Sequence, residues 1–180
     1  MDAPAELRDG ELLLSQWSGH DLPLLQEAAS DPRITRITAV PRDYSSDAAR
    51  GFVKARLDAA ARGEALSFTI RALESERAVG AVNLSTFDWD RRTARIGYWL
   101  VRPARGQGLA TRAVGLLTQW AVAELGLREI EVRVEPTNHA SLRVAEVCGY
   151  VHVGEITDAP SGTTRSLRLL RLRYRATPYA

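Results

Sequence analysis

Between Arg102 and Thr111 the chain reads RPARGQGLAT, with two glycines and the side chains of Arg102, Arg105 and Gln107 set between a strand-like and a helix-like stretch. A glycine-rich loop that opens a helix turns unpaired backbone N–H groups, and the positive end of the helix dipole, toward an anion. Gly106 and Gly108 matter there because a side chain would keep the backbone away from a phosphate. Arg102 and Arg105 can add charge-assisted contacts. Three phosphate-binding patterns compete with an ordinary tight turn. The nucleoside-triphosphate loop requires Gly-Lys-Ser/Thr, which is missing. The dinucleotide fingerprint has two of its glycines in GQGLAT but Thr111 at the third, although acidic residues from Glu129 to Glu135 follow at about the spacing it needs, roughly 20 positions on. A pyrophosphate cradle for coenzyme A is the third.

A second cluster begins at Asn138, in NHASLRVAEVCGY. Asn138 has the chemistry of a helix N-cap, with Ser141 in the first turn and Arg143 beyond it. Ser141 can serve as an unexceptional first-turn residue or as a proton donor, and Arg143 as a solvated cation or a phosphate contact. Cys148 reads as a small core residue.

The elements around these residues follow from periodicity. ELLLSQW (11–17) reads as a strand and GHDLPLLQEAAS (19–30) as a helix, followed by a loop with two prolines. A helix over about 47–62 places Ala49, Phe52, Val53, Leu57 and Ala60 on one stripe. SFTIRAL (67–73) and RAVGAVNLST (77–86) form a hairpin around ESE, and TARIGYWLV (93–101) is a third strand. The helix after the loop repeats Leu109, Ala113, Leu116, Leu117, Trp120 and Ala121, and Gly126 stops it. EIEVRV (129–134) alternates with Ile130, Val132 and Val134 inward. A short helix to Gly149 follows, then a closing strand pair, YVHVGEI and SLRLLRLRYR, around DAPSG. This order predicts an α+β fold: a mostly antiparallel, splayed mixed sheet of about seven strands with about four helices. After strand 129–134 comes a helix and hairpin, not another βαβ unit, which argues against a dinucleotide fold.

At 180 residues the chain is expected to form a single domain over 1–180. Its 45% hydrophobic and 26% charged residues suit a globular protein, and no run reaches the ~18 apolar residues of a membrane helix. The acidic N-terminus does not read as a signal peptide, so a cytoplasmic location is expected. One cysteine and three scattered histidines predict no disulfide framework and no metal site. A net charge of +2, without a nucleic-acid motif, does not argue for nucleic acid. The arginines are nonetheless grouped: Arg91, Arg92, Arg95, Arg102, Arg105 and Arg112 centrally, and Arg168, Arg171, Arg173 and Arg175 near the end.

IGYWLV followed by PARGQGLATRAV, paired with N-ASLRVAE--GY beginning at Asn138, resembles the GNAT acyltransferase superfamily, and within it the Rim-type (RimJ/RimL-like) ribosomal-protein N-acetyltransferases. The resemblance covers residues 93–150 closely. It implies an acyl-CoA-dependent N-acetyltransferase with acetyl-CoA as co-substrate and no metal. The pantetheine arm would pair with the backbone of Leu100, Val101 and Arg102. The backbone of Gly106, Gln107, Gly108, Leu109, Ala110 and Thr111 would take the pyrophosphate. Arg105 would fix the turn or reach a phosphate, Asn138 would contact pantetheine, Ser141 would donate to the departing thiolate, and Arg143 would reach the phosphates.

The acceptor side departs from the pattern. Arg95 stands where many Rim-like proteins carry glutamate, and Val153 and Thr157 stand in the E-G-x-x-R positions. The general base is therefore left open among Asp88, Glu135 and Glu155. Tyr98, Trp99, Phe87 and Trp89 are available to line an acceptor pocket. The acceptor is expected to be a protein N-terminus or a small-molecule amine. Succinyl-CoA is a further donor to test, and the sequence leaves the assembly open, a homodimer included. A catalytically weak CoA-binding regulator is the alternative.

Overall fold

The computed structural model describes residues 4–74, 77–158 and 167–176, with Leu167 and Arg168 as backbone only. Its strands are β1 (Glu6–Arg8), β2 (Leu12–Gln16), β3 (Ala65–Ala72), β4 (Ala78–Asp88), β5 (Thr93–Leu100), β6 (Glu129–Val134), β7 (Val151–Asp158) and β8 (Leu167–Arg175). They form one eight-stranded sheet in the order β1-β2-β3-β4-β5-β6-β8-β7. Only β5 and β6 pair in parallel, joined by the crossover helix α4 (Leu109–Leu125). The remaining helices are α1 (Leu22–Ala29), α2 (Pro32–Thr35), α3 (Ser46–Ala61) and α5 (His139–Val147). No described helix is long and apolar enough to cross a membrane.

The α+β mixed sheet is as expected, with differences in detail. Strand β1 was not expected; three residues without an apolar alternation carry no periodic signal. Helix α2 lies in the stretch read as a loop, started by Asp31, whose side chain accepts from the Arg33 amide at 2.8 Å. The closing strands do pair, but β8 inserts between β6 and β7. Most of the DAPSG turn between them, and of the ESE turn, lies outside the described residues.

The apolar stripe of α3 is shifted from the expected one. Ala49, Phe52 and Val53 are buried, whereas Leu57 is 41% exposed. Arg56 occupies the inward position instead, with its guanidinium carbon 4.4 Å from the centroid of the Phe52 ring. Phe52 meets Trp17 edge-on at 5.2 Å, and the Trp17 indole donates to Ser67 Oγ at 2.9 Å, which anchors α3 over β2 and β3.

In β6, Ile130, Val132 and Val134 are buried as the alternation predicts. The opposite face carries charges in register: Arg95 lies beside Glu131, Glu131 beside Arg173, and Arg133 beside Arg171. Burial pushes the Glu131 carboxyl up, but hydrogen bonds from Arg171, Arg133 and Arg173 overcome this and hold it at about 2. A carboxyl depressed on folding contributes stability that is full above its unfolded value near 4.5 and lost as pH falls toward 2. The expected result is a thermal midpoint that declines from about pH 4.5 downward, with a shallower decline in Glu131→Gln. Identical acid profiles for the two proteins would show that this arginine-bound carboxylate does not control acid stability.

Candidate functional site

The sheet opens where β5 outlasts β6. Parallel pairing runs from Thr93 beside Glu129 to Ile96 beside Val132, and β5 continues without that neighbour to Leu100. On its other side β5 stays paired with β4 as far as Gly80 beside Leu100. That approach is close: a Cβ on Gly80 would lie 2.2 Å from the Trp99 carbonyl oxygen, so glycine is required there. The Val101 amide donates to Val79 at 2.9 Å. Because an antiparallel ladder alternates the direction of its backbone groups, those of Tyr98 and Leu100 face the gap.

The loop after β5 is built to stay rigid and bare. Arg102–Ala104 forms one 3-10 turn. Gly106 and Gly108 then adopt φ of +79° and +78°, a left-handed conformation that side chains rarely take. Gly108 caps α4, whose first ladder bond runs from Arg112 to the Gly108 carbonyl. Among the described residues no protein acceptor takes the N–H groups from Gly106 to Thr111. A Cβ at either glycine would meet nothing within 4 Å, so the loop faces open space. Six consecutive free amides at a helix N-terminus form an anion cradle.

The side chains of the loop largely hold it in shape. Arg105 donates to the Leu100 carbonyl through Nε and Nη2 at 3.0 and 2.8 Å, and to Asp31 at 2.5 Å. Burial raises the Asp31 carboxyl, but the Arg33 amide and Arg105 outweigh it and keep the group below its ordinary value. Of the two roles expected for Arg105, this geometry is the turn-fixing one. It also occupies the Leu100 carbonyl, while β4 occupies the Val101 amide. Within the expected Leu100–Arg102 segment, the Leu100 carbonyl and the Val101 amide thus already have protein partners. Gln107 likewise braces the turn, donating to the Pro103 carbonyl at 2.9 Å. Arg102 is exposed.

Across the gap Asn138 caps α5, accepting from the Ser141 amide at 3.2 Å. The Tyr98 hydroxyl donates to the Ser141 carbonyl at 3.1 Å, fixing the first turn of α5 against β5. Burial pushes the Tyr98 hydroxyl up to about 12, so it stays a donor. Arg143 is solvated, its side chain 77% exposed and 3.9 Å from Glu146. Cys148 packs half-buried, with its thiol donating to the Thr111 carbonyl at 3.3 Å. Burial also raises that thiol, which suits packing, not nucleophilic attack.

A cleft of about 230 Å³ runs through the gap. Tyr98, Asn138 and Ser141 line it where β5 faces α5. Trp17, Phe52 and Arg56 line the α3 side, and Asn83, Ser85, Arg95 and Arg133 the sheet side. Of the aromatic residues picked out in the sequence, Tyr98 and Trp99 line the cleft. Phe87 and Trp89 do not; they stack on each other at 4.8 Å. Of the three carboxylates considered, only Glu135 lines it, held by Arg36 at 2.5 Å. Asp88 instead accepts from the Arg91 amide, and Glu155 is exposed on β7. Arg56 and Asp158 were missed. Arg56 fits the α3 stripe at i+3 from Val53, a spacing obscured by the more apolar Leu57 beside it.

A family profile described as an acetyltransferase (GNAT) domain matches residues 11–151. The chain belongs to the GNAT acetyltransferase family. With that membership comes acetyl-CoA-dependent N-acetylation as its chemistry and an acyl-CoA as its co-substrate. The uncharacterized N-acetyltransferase p20 of Bacillus licheniformis is 28% identical over 153 residues, covering 85% of this chain and 79% of p20. In structure, this GNAT chain resembles RimJ of Mycobacterium smegmatis in complex with CoA-disulfide, with a TM-score of 0.81, 19% identity, and coverage of 95% and 86% of the two chains. It also resembles the Microcin C7 self immunity acetyltransferase MccE in complex with acetyl-CoA and AMP, with a TM-score of 0.82, 21% identity, and coverage of 97% and 98%. The Rim-like resemblance noted in the sequence therefore extends to the whole fold.

Proposed function

We propose that this GNAT protein seats the pyrophosphate of acetyl-CoA on the amides of Gly106 to Thr111, threads the pantetheine arm between β5 and β6, and transfers the acetyl group directly to a primary amine. The observation that carries this reading is the bare amide cradle opening onto a gap lined by Tyr98, Asn138 and Ser141. The amine nitrogen attacks the thioester carbonyl, and the carbonyl oxygen becomes an oxyanion. Amides of Tyr98 and Leu100, facing the gap, are the donors available to stabilise it. Collapse breaks the C–S bond and releases the thiolate. The Ser141 hydroxyl, which has no hydrogen-bond partner among the described residues, donates to that sulfur. Glu135, the carboxylate lining the cleft nearest in sequence to Asn138, takes the ammonium proton through water.

The test is CoA release from acetyl-CoA and succinyl-CoA across amines of several classes, with CoA binding followed by calorimetry. Release above background with acetyl-CoA supports the reading. CoA binding without release on any amine favours a CoA-binding regulator, and no CoA binding removes the cradle. Ser141→Ala is expected to lower kcat only about tenfold, because a thiolate with pKa near 8.5 departs without full protonation. Glu135→Gln is expected to lower kcat more at neutral pH than at pH 9–10, where the amine deprotonates unaided. A uniform loss across pH would argue that Glu135 only holds Arg36.

A further inference from the structure

The acceptor end of the cleft has more cations than its carboxylates neutralise. Glu135 is bound by Arg36 at 2.5 Å. Asp158 is hydrogen-bonded by Arg133, and Arg95 stands off from it at 3.9 Å. Arg56 contacts the Phe52 ring and has no carboxylate in ion-pair distance among the described residues. Burial pushes both arginines down from their ordinary value; for Arg95, neighbouring Arg133 adds to this, and Asp158 and Glu131 offset it only in part. Arg56 and Arg95 are half-buried, and a partly desolvated cation short of matching negative charge is relieved by a bound anion.

The floor between them is polar. Ser85 lies beside Arg95 and Asn83 beside Gly97 in the β4–β5 register. The Asn83 side chain has no hydrogen-bond partner among the described residues, and a Cβ on Gly97 would stand 3.1 Å from its oxygen, so glycine keeps it uncovered. Arg95 is five residues before Leu100, roughly 17 Å along an extended strand. It therefore lies past the gap as seen from the cradle, where the acceptor enters and the donor's phosphates do not reach.

We propose that the acceptor of this enzyme carries an anionic group, a carboxylate or a phosphate, close to the amine it acetylates, and that Arg56, Arg95 and Asn83 receive that group. The proposal rests on the acyltransferase reading above and names the acceptor class for it. It sets the cleft against polyamines and other polycations, whose second charge would face two under-neutralised guanidinium groups.

The experiment compares acceptors matched but for the anion, with kcat/KM expressed per neutral amine so that the anion's effect on amine basicity is removed: alanine against alaninamide, phosphoethanolamine against ethanolamine, and a short peptide with aspartate at its second position against its asparagine counterpart. A charge-assisted contact predicts that kcat/KM favours the anionic member by about tenfold or more, and that Arg95→Gln and Arg56→Gln each reduce the ratio toward one. The pair showing the largest ratio distinguishes a free amino acid, a phosphorylated amine and a protein N-terminus as the source. Calorimetric CoA binding checks that each variant is folded. Ratios near one, or a preference for spermidine over all anionic acceptors, overturn the proposal. So does an advantage that appears only when acetyl-CoA is replaced by succinyl-CoA, which would place the anion on the donor. A readout without turnover separates the two readings. With CoA present, N-acetylalanine should bind the wild type and bind Arg95→Gln at least about tenfold more weakly, with N-acetylalaninamide weak on both. That pattern without acetylation of any amine would retain the anion site and remove the acyltransferase reading; no binding difference would remove the anion site.

Discussion

Replacing Asp21 by alanine is expected to lower unfolding stability by about 3 kcal/mol, the low end for breaking a buried ion pair. Asp21 is 0% exposed although it is ionisable. Its carboxylate accepts from the Ser18 amide at 2.8 Å, from the Ser18 hydroxyl at 3.1 Å and from Arg71. Arg71 also donates to Ser15, whose hydroxyl shares a hydrogen bond with the fully buried Thr69. One side chain thus ties the turn before α1 to the β2–β3 ladder. Alanine leaves the Arg71 cation, 20% exposed, without its carboxylate and opens the Ser18 cap. At this chain length the thermal midpoint should fall by about 6–12 °C. Combining Asp21→Ala with Arg71→Ala should cost less than the sum of the two, since either one removes the pair. A loss under about 1 kcal/mol for Asp21→Ala would show that the network is not the support it resembles.

Gly108→Asp is expected to weaken CoA binding by about 100-fold. Aspartate is one of the few side chains that enter the left-handed region, so φ near +78° is retained at modest cost. Its carboxylate would project into the open space over the cradle. A unit charge about 5 Å from one phosphate charge costs about 3 kcal/mol at an effective dielectric of 20, close to two decades in affinity. Calorimetry with CoA reads the effect directly, and thermal unfolding without CoA reports any loss of fold. Wild-type affinity in Gly108→Asp would mean that RPARGQGLAT is a turn and that the donor binds elsewhere.

Much of the local geometry around the glycine loop and Asn138 was legible in the sequence. Glycine spacing, the strand before it and the helix after it are local features, and Gly106, Gly108 and Gly126 have the positive φ that such turns require. Asn138 caps α5 as its chemistry suggests, and the alternation of β6 separates its two faces correctly. The roles of the charged side chains were not legible, because they depend on pairings between residues far apart in the chain. Arg105 reads equally as a phosphate ligand or a brace until Asp31, 74 positions earlier, is seen to hold it. Arg56 carries no signal of its own in the sequence, and its place is set only when Phe52 and Trp17 fix the rotation of α3. Arg171 and Arg173 become partners of Glu131 only once β8 inserts beside β6. The sequence by itself determined most of the elements and the glycine turn that opens α4, since dihedral preference and periodicity act within a few residues. Only the tertiary structure decided which charges neutralise one another and which are left facing the cleft, because that depends on strand register and helix rotation, which long-range packing sets.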